Sequence, residues 1–246
     1  MKYLDFERLE AIDPRSFRAA RPYPWVNPSD LVSSAGYESL ADTLPDVSTF
    51  RRVFGKERKF GQESHDRFAL DYTPELDLSL PWRHFMAEIT SARYAAVIAR
   101  LAGRHSVNLS FHWHYTPRGC SVSPHCDSKH KLGSHIFYFC REKEWAPDWG
   151  GATLILDSDR RLDRRSAPGF DEFDREIAGE YIGNRSLLFI RKKNSWHGMR
   201  EIQCPAGLYR KVFIVVVDRV PAREALRRRF GRSDRSMGPS VSAGFE

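Results

Sequence analysis

In the segment SPHCDSKH, His125 and Asp127 stand two residues apart. Successive side chains of an extended strand point to opposite faces, so this spacing sends the imidazole and the carboxylate to one side and Cys126 to the other. A further histidine, His197 in NSWHGM, follows the apolar run Leu187 to Ile190 and can bring a third ligand from a distant strand. Two histidines and one carboxylate on one face of an octahedron leave positions open for a co-substrate and dioxygen on Fe(II). Arg210 opens the run RKVFIVVVD, thirteen residues after His197. A guanidinium buried beside a metal is costly unless paired, and its planar fork matches a carboxylate with two parallel hydrogen bonds. The distal carboxylate of 2-oxoglutarate is such a partner.

With these residues in place, the span from about 107 to 218 resembles the catalytic core of the Fe(II)/2-oxoglutarate-dependent oxygenases, in particular their prolyl-hydroxylase-like branch. Several features of that family occur in order. Tyr115 stands ten residues before His125, where a family tyrosine often helps bind 2-oxoglutarate. HIFYFC, with Tyr138, resembles the strand whose tyrosine reaches the co-substrate carboxylate. Trp149-Gly150-Gly151 before ATLIL resembles a Gly-Gly hairpin, and NRSLLFI leading into WHGMREI resembles the strand pair that carries the distal ligand. The gap from His197 to Arg210 is longer than is usual in that branch, with Cys204 to Gly207 resembling an enlarged hairpin turn. The resemblance implies Fe(II), 2-oxoglutarate and O2 as cofactor and co-substrates. It further implies metal ligands His125, Asp127 and His197, and co-substrate contacts from Arg210, Tyr115 and Tyr138. The implied reaction is hydroxylation of a C–H bond with release of succinate and CO2. Asp127 argues against a halogenase, whose family variants lack the carboxylate ligand. The substrate is left open: a small molecule or a peptide side chain.

Other residues compete for attention. His112 and His114 form an HxH pair, but YTPRG follows where a cupin pattern would place a glutamate, so both read as structural or packing residues. Cys126 reads as a small buried filler. A rival function is a cupin-like metal-binding protein, or a non-oxidative enzyme, that does not turn over 2-oxoglutarate.

The elements that position these residues begin with a helical and irregular stretch over 1–105. Pro22, Pro24 and Pro28 mark an extended lead-in before a helix signalled by Asn27 or Ser29. In 81–103, apolar positions recur at three- and four-residue steps and Gly103 can end the segment, which predicts one helix. From about residue 106 the pattern changes to short β-branched and aromatic runs near 107–115, 121–127, 133–140, 152–156, 186–190, 196–202 and 209–218. Short strands without helices between them predict a jelly roll, the cupin-like double-stranded β-helix, with N-terminal helices. Residues 157–180 read as a long surface excursion. One domain is expected over 1–246, with 1–105 as helical support, 106–218 as catalytic core and 219–246 as a basic, partly disordered tail. If Arg210 faces the site, Val212 and Ile214 face it too, and with Tyr138 go Ser134 and Ile136.

The chain is 41% hydrophobic and 29% charged, an ordinary globular balance, with a formal charge of +7. Residues 219–235 hold seven arginines against Glu224 and Asp234, a net of +5, so most of the excess belongs to the tail and a nucleic-acid partner is not expected. Cys120, Cys126, Cys140 and Cys204 lack CxxC spacing, which argues against a zinc knuckle or a disulfide framework. No apolar run approaches the roughly 20 residues of a membrane span, and the first residues lack the apolar stretch of a secretory signal, so a cytoplasmic location is expected. Lys129, His130 and Lys131 follow one ligand and Arg191, Lys192 and Lys193 precede another. These clusters predict a positive pocket mouth that suits an anionic substrate.

Overall fold

The structure of the chain, a computed structural model, describes residues 2–221. Its helices are α1 (Phe6–Ala11), α2 (Pro14–Ala19), α3 (Ser34–Asp42), α4 (Leu80–Ile89) and α5 (Ala92–Ala102). Its strands are β1 (Trp25–Val26), β2 (Arg51–Val53), β3 (Arg67–Asp71), β4 (Asn108–Pro117), β5 (Val122–His125) and β6 (Lys131–Tyr138). They continue with β7 (Leu154–Asp157), β8 (Arg175–Ala178), β9 (Ser186–Ile190), β10 (Trp196–Met199) and β11 (Tyr209–Asp218). A seven-stranded sheet runs β1-β9-β6-β11-β4-β3-β2 and a four-stranded sheet runs β5-β10-β7-β8. Neighbours in both sheets are antiparallel. This is the jelly roll with N-terminal helices that the strand pattern predicts.

Alternation along β4 explains the layers. Phe111, Trp113 and Tyr115 fall on one face of the large sheet and join the cluster that packs on the helices. His112, His114 and Thr116 fall on the other. Trp82 of α4 lies 5.1 Å from Trp113 and 5.3 Å from Phe213, ring to ring, and anchors the helical layer to the sheet. A second cluster, with Val122, Ile136, Tyr138, Ile155, Phe189, Met199 and Val212, fills the space between the sheets. β11 lies in the middle of the large sheet and is covered on both sides, so its apolar run is nearly continuous instead of alternating.

Several boundaries differ from the sequence expectation. Residues 81–103 form two helices, because the hydroxyls of Thr90 and Ser91 donate to the carbonyls of Met86 (2.7 Å) and Glu88 (2.6 Å) and so close α4. Ser91 Oγ then accepts from Tyr94 N at 3.2 Å and caps α5. Gly103 does end α5, with φ 65°. The stretch 1–105 is not only a helical support. β1, β2 and β3 come from it and complete both edges of the large sheet. The helix after the prolines begins at Ser34 with Ser33 as its cap, while the Asn27 amide donates to the carbonyls of Glu180 and Ser186. The excursion 157–180 contains β8, which pairs with β7. The strand expected over 121–127 ends at His125, and the one expected over 196–202 ends at Met199. From residue 222 onward, the expected basic and partly disordered tail lies outside the described residues. Among those described, no helix is long and apolar enough to cross a membrane.

Candidate metal and co-substrate site

β5 and β10 are neighbours in the small sheet, and their register sets His125 directly opposite His197 with ring centroids 4.3 Å apart. In each histidine Nδ1 lies 3.0 Å from the backbone carbonyl two residues earlier, Ser123 O for His125 and Ser195 O for His197. A carbonyl can only accept, so Nδ1 carries the proton and Nε2 presents its lone pair. Asp127 lies just past the end of β5. Lys131 Nζ holds its Oδ1 at 3.0 Å, and Arg191 Nε donates to its backbone carbonyl at 2.8 Å. Oδ2 is enclosed without a hydrogen-bond partner and lies 4.0 Å from His197 Nε2. One donor atom from each of the three residues lies within 4.8 Å of the others.

A buried carboxylate oxygen with no donor is costly, so the orphaned Oδ2 beside two imidazole lone pairs fits a divalent cation. Protonation states agree. Burial raises the Asp127 pKa, but Lys131, His197 and His125 outweigh it and hold the carboxyl well below the usual range. Burial keeps His125 and His197 neutral by lowering both pKa values. Neutral imidazoles and an ionised carboxylate are the forms that bind metal.

On the facing sheet, Arg210 is 6% exposed and sits opposite Thr116. Its Nε donates to Gly151 O at 2.6 Å and its Nη2 to Thr153 Oγ1 at 3.1 Å. Tyr138 donates to the same Thr153 oxygen at 2.8 Å, and the guanidinium carbon lies 5.3 Å from the centre of the Tyr138 ring. Gly151 is required here: at φ 112° it exposes its carbonyl to Arg210, and a Cβ would lie 3.2 Å from both Arg210 Cδ and Tyr181. Among the described residues, no carboxylate forms an ion pair with Arg210. A buried guanidinium without an ion pair is costly, and an anionic partner would offset that cost.

The structure brings His125, Asp127 and His197 together, and it groups Arg210 with Tyr138. Tyr115 it does not bring to them. Alternation turns Tyr115 to the helix-covered face, where its hydroxyl donates to Pro45 O at 2.9 Å and its ring meets Phe50 at 4.2 Å. The residues of β4 that share Arg210's face are His112, His114 and Thr116. His112 reads as structural through its 2.8 Å contact with Asp71. His114 is 3.4 Å from Arg67 Nε, and its ring packs against that of His65 at 5.9 Å. Cys126 points away from the ligands toward Lys193 O, as its place between them requires, and burial pushes its thiol up to about 12.

The basic clusters divide. Lys131 and Arg191 are engaged by Asp127, whereas Lys192 and Lys193 line a separate groove of about 620 Å³ with Arg18, Arg21, Arg160 and Arg164. Sequence reasoning missed Thr153, His65 and Arg67. Strand parity from Arg210 would have found His114 and Thr116. The loop over 54–66, which carries Arg58 and His65, has no periodicity to read.

No protein-family model matches the chain, and no curated protein matches it by sequence. Solved structures do match. A prolyl-4-hydroxylase from Pseudomonas putida superposes with TM-score 0.59 at 15% identity, covering 87% of this chain and 100% of that one. A Trichoplax adhaerens prolyl hydroxylase, solved with a hypoxia inducible factor oxygen degradation domain peptide fragment, gives TM-score 0.59 at 12% identity over 93% and 94% of the two chains. The non-heme alpha ketoglutarate dependent carbocyclase SnoK from nogalamycin biosynthesis gives TM-score 0.56 at 12% identity over 85% of each. At these identities the likeness shows that the chain has the fold of the Fe(II)/2-oxoglutarate oxygenases.

Proposed function

We propose that this chain is an Fe(II)- and 2-oxoglutarate-dependent dioxygenase that hydroxylates a C–H bond of a small molecule or a side chain. One observation carries the reading: the enclosed, unpartnered Oδ2 of Asp127 between two imidazole lone pairs, with the unpaired Arg210 buried on the sheet across from it. The fold shared with prolyl hydroxylases and with SnoK supports it. His125, Asp127 and His197 would hold Fe(II), which supplies the oxidative decarboxylation of 2-oxoglutarate to succinate and CO2 coupled to hydroxylation.

The chain's own residues do the rest. Lys131 occupies Oδ1 of Asp127, so the carboxylate is directed to bind through Oδ2. Carbonyls of Ser123 and Ser195 fix the ring orientations. Arg210 binds the distal carboxylate and so orients 2-oxoglutarate, with Gly151 and Thr153 aiming the guanidinium. Ile136, Phe189 and Val212 form an apolar lining that excludes water. The cysteines are free, as a cytoplasmic location would suit.

The test is anaerobic titration with Fe(II) and then 2-oxoglutarate. It follows metal binding and the visible absorption band that appears when a 2-oxo acid chelates Fe(II). The wild-type chain is expected to bind one Fe(II) and develop the band, and His125→Ala, Asp127→Ala and His197→Ala each to lose both. Metal binding with no band and no consumption of 2-oxoglutarate under oxygen would establish the metal-binding cupin instead.

A further inference from the structure

The groove that takes up Lys192 and Lys193 is built from three separated stretches of the chain, 18–24, 160–164 and 192–194, and encloses about 620 Å³. Its walls carry Arg18, Arg21, Arg160, Arg164, Lys192 and Lys193 against one acid, Asp163, a net of +5. Among the described residues, none of the six cations forms an ion pair. Asp163 is itself engaged, since its Oδ1 accepts from Arg165 N at 3.0 Å. Arg161, which does not line the groove, is paired with Asp174. Asp159 and Arg160 both adopt the left-handed backbone, at φ 44° and 64°, which residues other than glycine rarely do. That turn sets Arg160 in the groove wall. Arg18 is held by donation from its Nη1 to Arg100 O at 3.1 Å.

A single exposed cation needs no partner but water. Convergence is different. The chain has 32 acids to 39 lysines and arginines, yet this concave surface gathers six cations and one acid. Like charges lining a cleft repel one another and focus a positive field that draws in anions. Guanidinium forks match carboxylates and phosphates, and ammonium groups bind phosphate as point charges. The volume lies within the roughly 300–1,000 Å³ of small-molecule sites. The arginine-rich sequence from residue 222 onward carries the groove's own sign of charge, so it is no complement to it. The groove adjoins the metal ligands without including them. Lys193 O accepts from Cys126 Sγ at 3.7 Å. Tyr23, part of the lining, donates to Trp196 O at 2.8 Å, and its ring lies 6.2 Å from that of Phe189, which in turn lies 4.7 Å from the ring of His197.

We propose that this groove is a second binding site, for a small molecule bearing two or more phosphate or carboxylate groups, beside the metal ligands and separate from Arg210. It holds whether or not the triad carries iron. Pyrophosphate, citrate, inorganic phosphate and hexaglutamate, each titrated by calorimetry into the metal-free full chain, serve as probes. Pyrophosphate or citrate is expected to bind one to a chain and about tenfold tighter than inorganic phosphate, because it engages more of the cations at once. The tighter of the two identifies the preferred group. Lys192→Gln with Lys193→Gln, and Arg160→Gln with Arg164→Gln, are each expected to weaken that probe about tenfold. The contacts of Lys192 and Lys193 with Ser195 and Cys126 run through backbone carbonyls, so their side chains can be replaced without disturbing the approach to β10. Should the arginine pair not fold, the lysine pair decides alone. Arg83→Gln with Lys143→Gln removes the same charge from exposed positions elsewhere and should leave binding unchanged. Equal weakening in that control and in the groove variants, or no weakening in any of them, would overturn the proposal. So would inorganic phosphate binding as tightly as pyrophosphate and citrate. Tighter binding of hexaglutamate than of either small probe would also overturn it and assign the groove to an acidic chain segment.

Discussion

The two faces of β4, β6 and β11 are made from the same strands and share almost nothing else. On the helix side stand Phe111, Trp113, Tyr115, Phe137 and Phe213, an aromatic layer closed by Trp82 and Phe85. On the side toward the small sheet stand His112, His114, Thr116, Tyr138 and Arg210. Neighbouring residues of each strand point to opposite faces, so a slip of one position would exchange the residues turned to the helices with those turned to the small sheet. The division also separates two demands. Dense packing on one face stabilises the sheet, and the other face can then carry polar groups such as the buried guanidinium of Arg210.

The division is broken most directly at Trp113, which is fully buried among Trp82 and Phe213. Trp113→Ala is expected to cost about 3–5 kcal/mol, read as a fall in the denaturation midpoint, while the fraction that stays folded binds metal normally. A loss of metal affinity without a loss of stability would show that the faces are not independent. Arg210→Ala tests the opposite case. It should raise the 2-oxoglutarate concentration for half-saturation roughly thirtyfold, about 2 kcal/mol, leaving metal affinity and melting temperature nearly unchanged. A large fall in melting temperature would assign Arg210 to packing.

His135 sharpens the comparison, because it is a polar residue on the aromatic side. Its Nδ1 meets Tyr94 Oη at 2.9 Å, Nε2 is enclosed without a partner, and burial pushes its pKa to about 3. The unfolded chain takes up this proton near pH 6.5, so it binds more protons than the native state between about 6.5 and 3. Stability is therefore complete above the upper value and falls with acidification, by at most about 1.4 kcal/mol per pH unit from this group. His65 and His114 act in the same direction from the other face. Urea denaturation between pH 7.5 and 5 should show a shallower slope in His135→Gln. An unchanged slope would place the acid sensitivity on the site face.

Much of this was legible in the sequence where period and spacing carry information. Two-residue alternation gave the shared face of Val212 and Ile214 with Arg210, and of Ile136 with Tyr138. The same rule applied to β4 would have set Tyr115 across the sheet from its expected role, since Arg210 is in register with Thr116. There, a ten-residue spacing seen in relatives outweighed strand parity. The break at Thr90-Ser91 was hidden because apolar periodicity continues across it, and hydroxyl bonds to backbone carbonyls decide the matter locally. Arg58 and His65 were illegible for another reason. Their placement is set by how the loop over 54–66 folds, through contacts such as Gln62 to Ser166 that span more than a hundred residues.

The placement of β10 between β5 and β7, with β5 at the sheet edge, has a kinetic consequence. His197 belongs to a strand bonded on both sides, while His125 ends a four-residue edge strand whose pairing is irregular between His197 and Met199. Asp127 lies beyond that strand and is held by side chains. Local opening starts where backbone bonds are fewest, so amide exchange should be slowest at His197, faster at His125 and fastest at Asp127. An ion held by all three would be released by fraying from the carboxylate end, with His197 as the last ligand to let go.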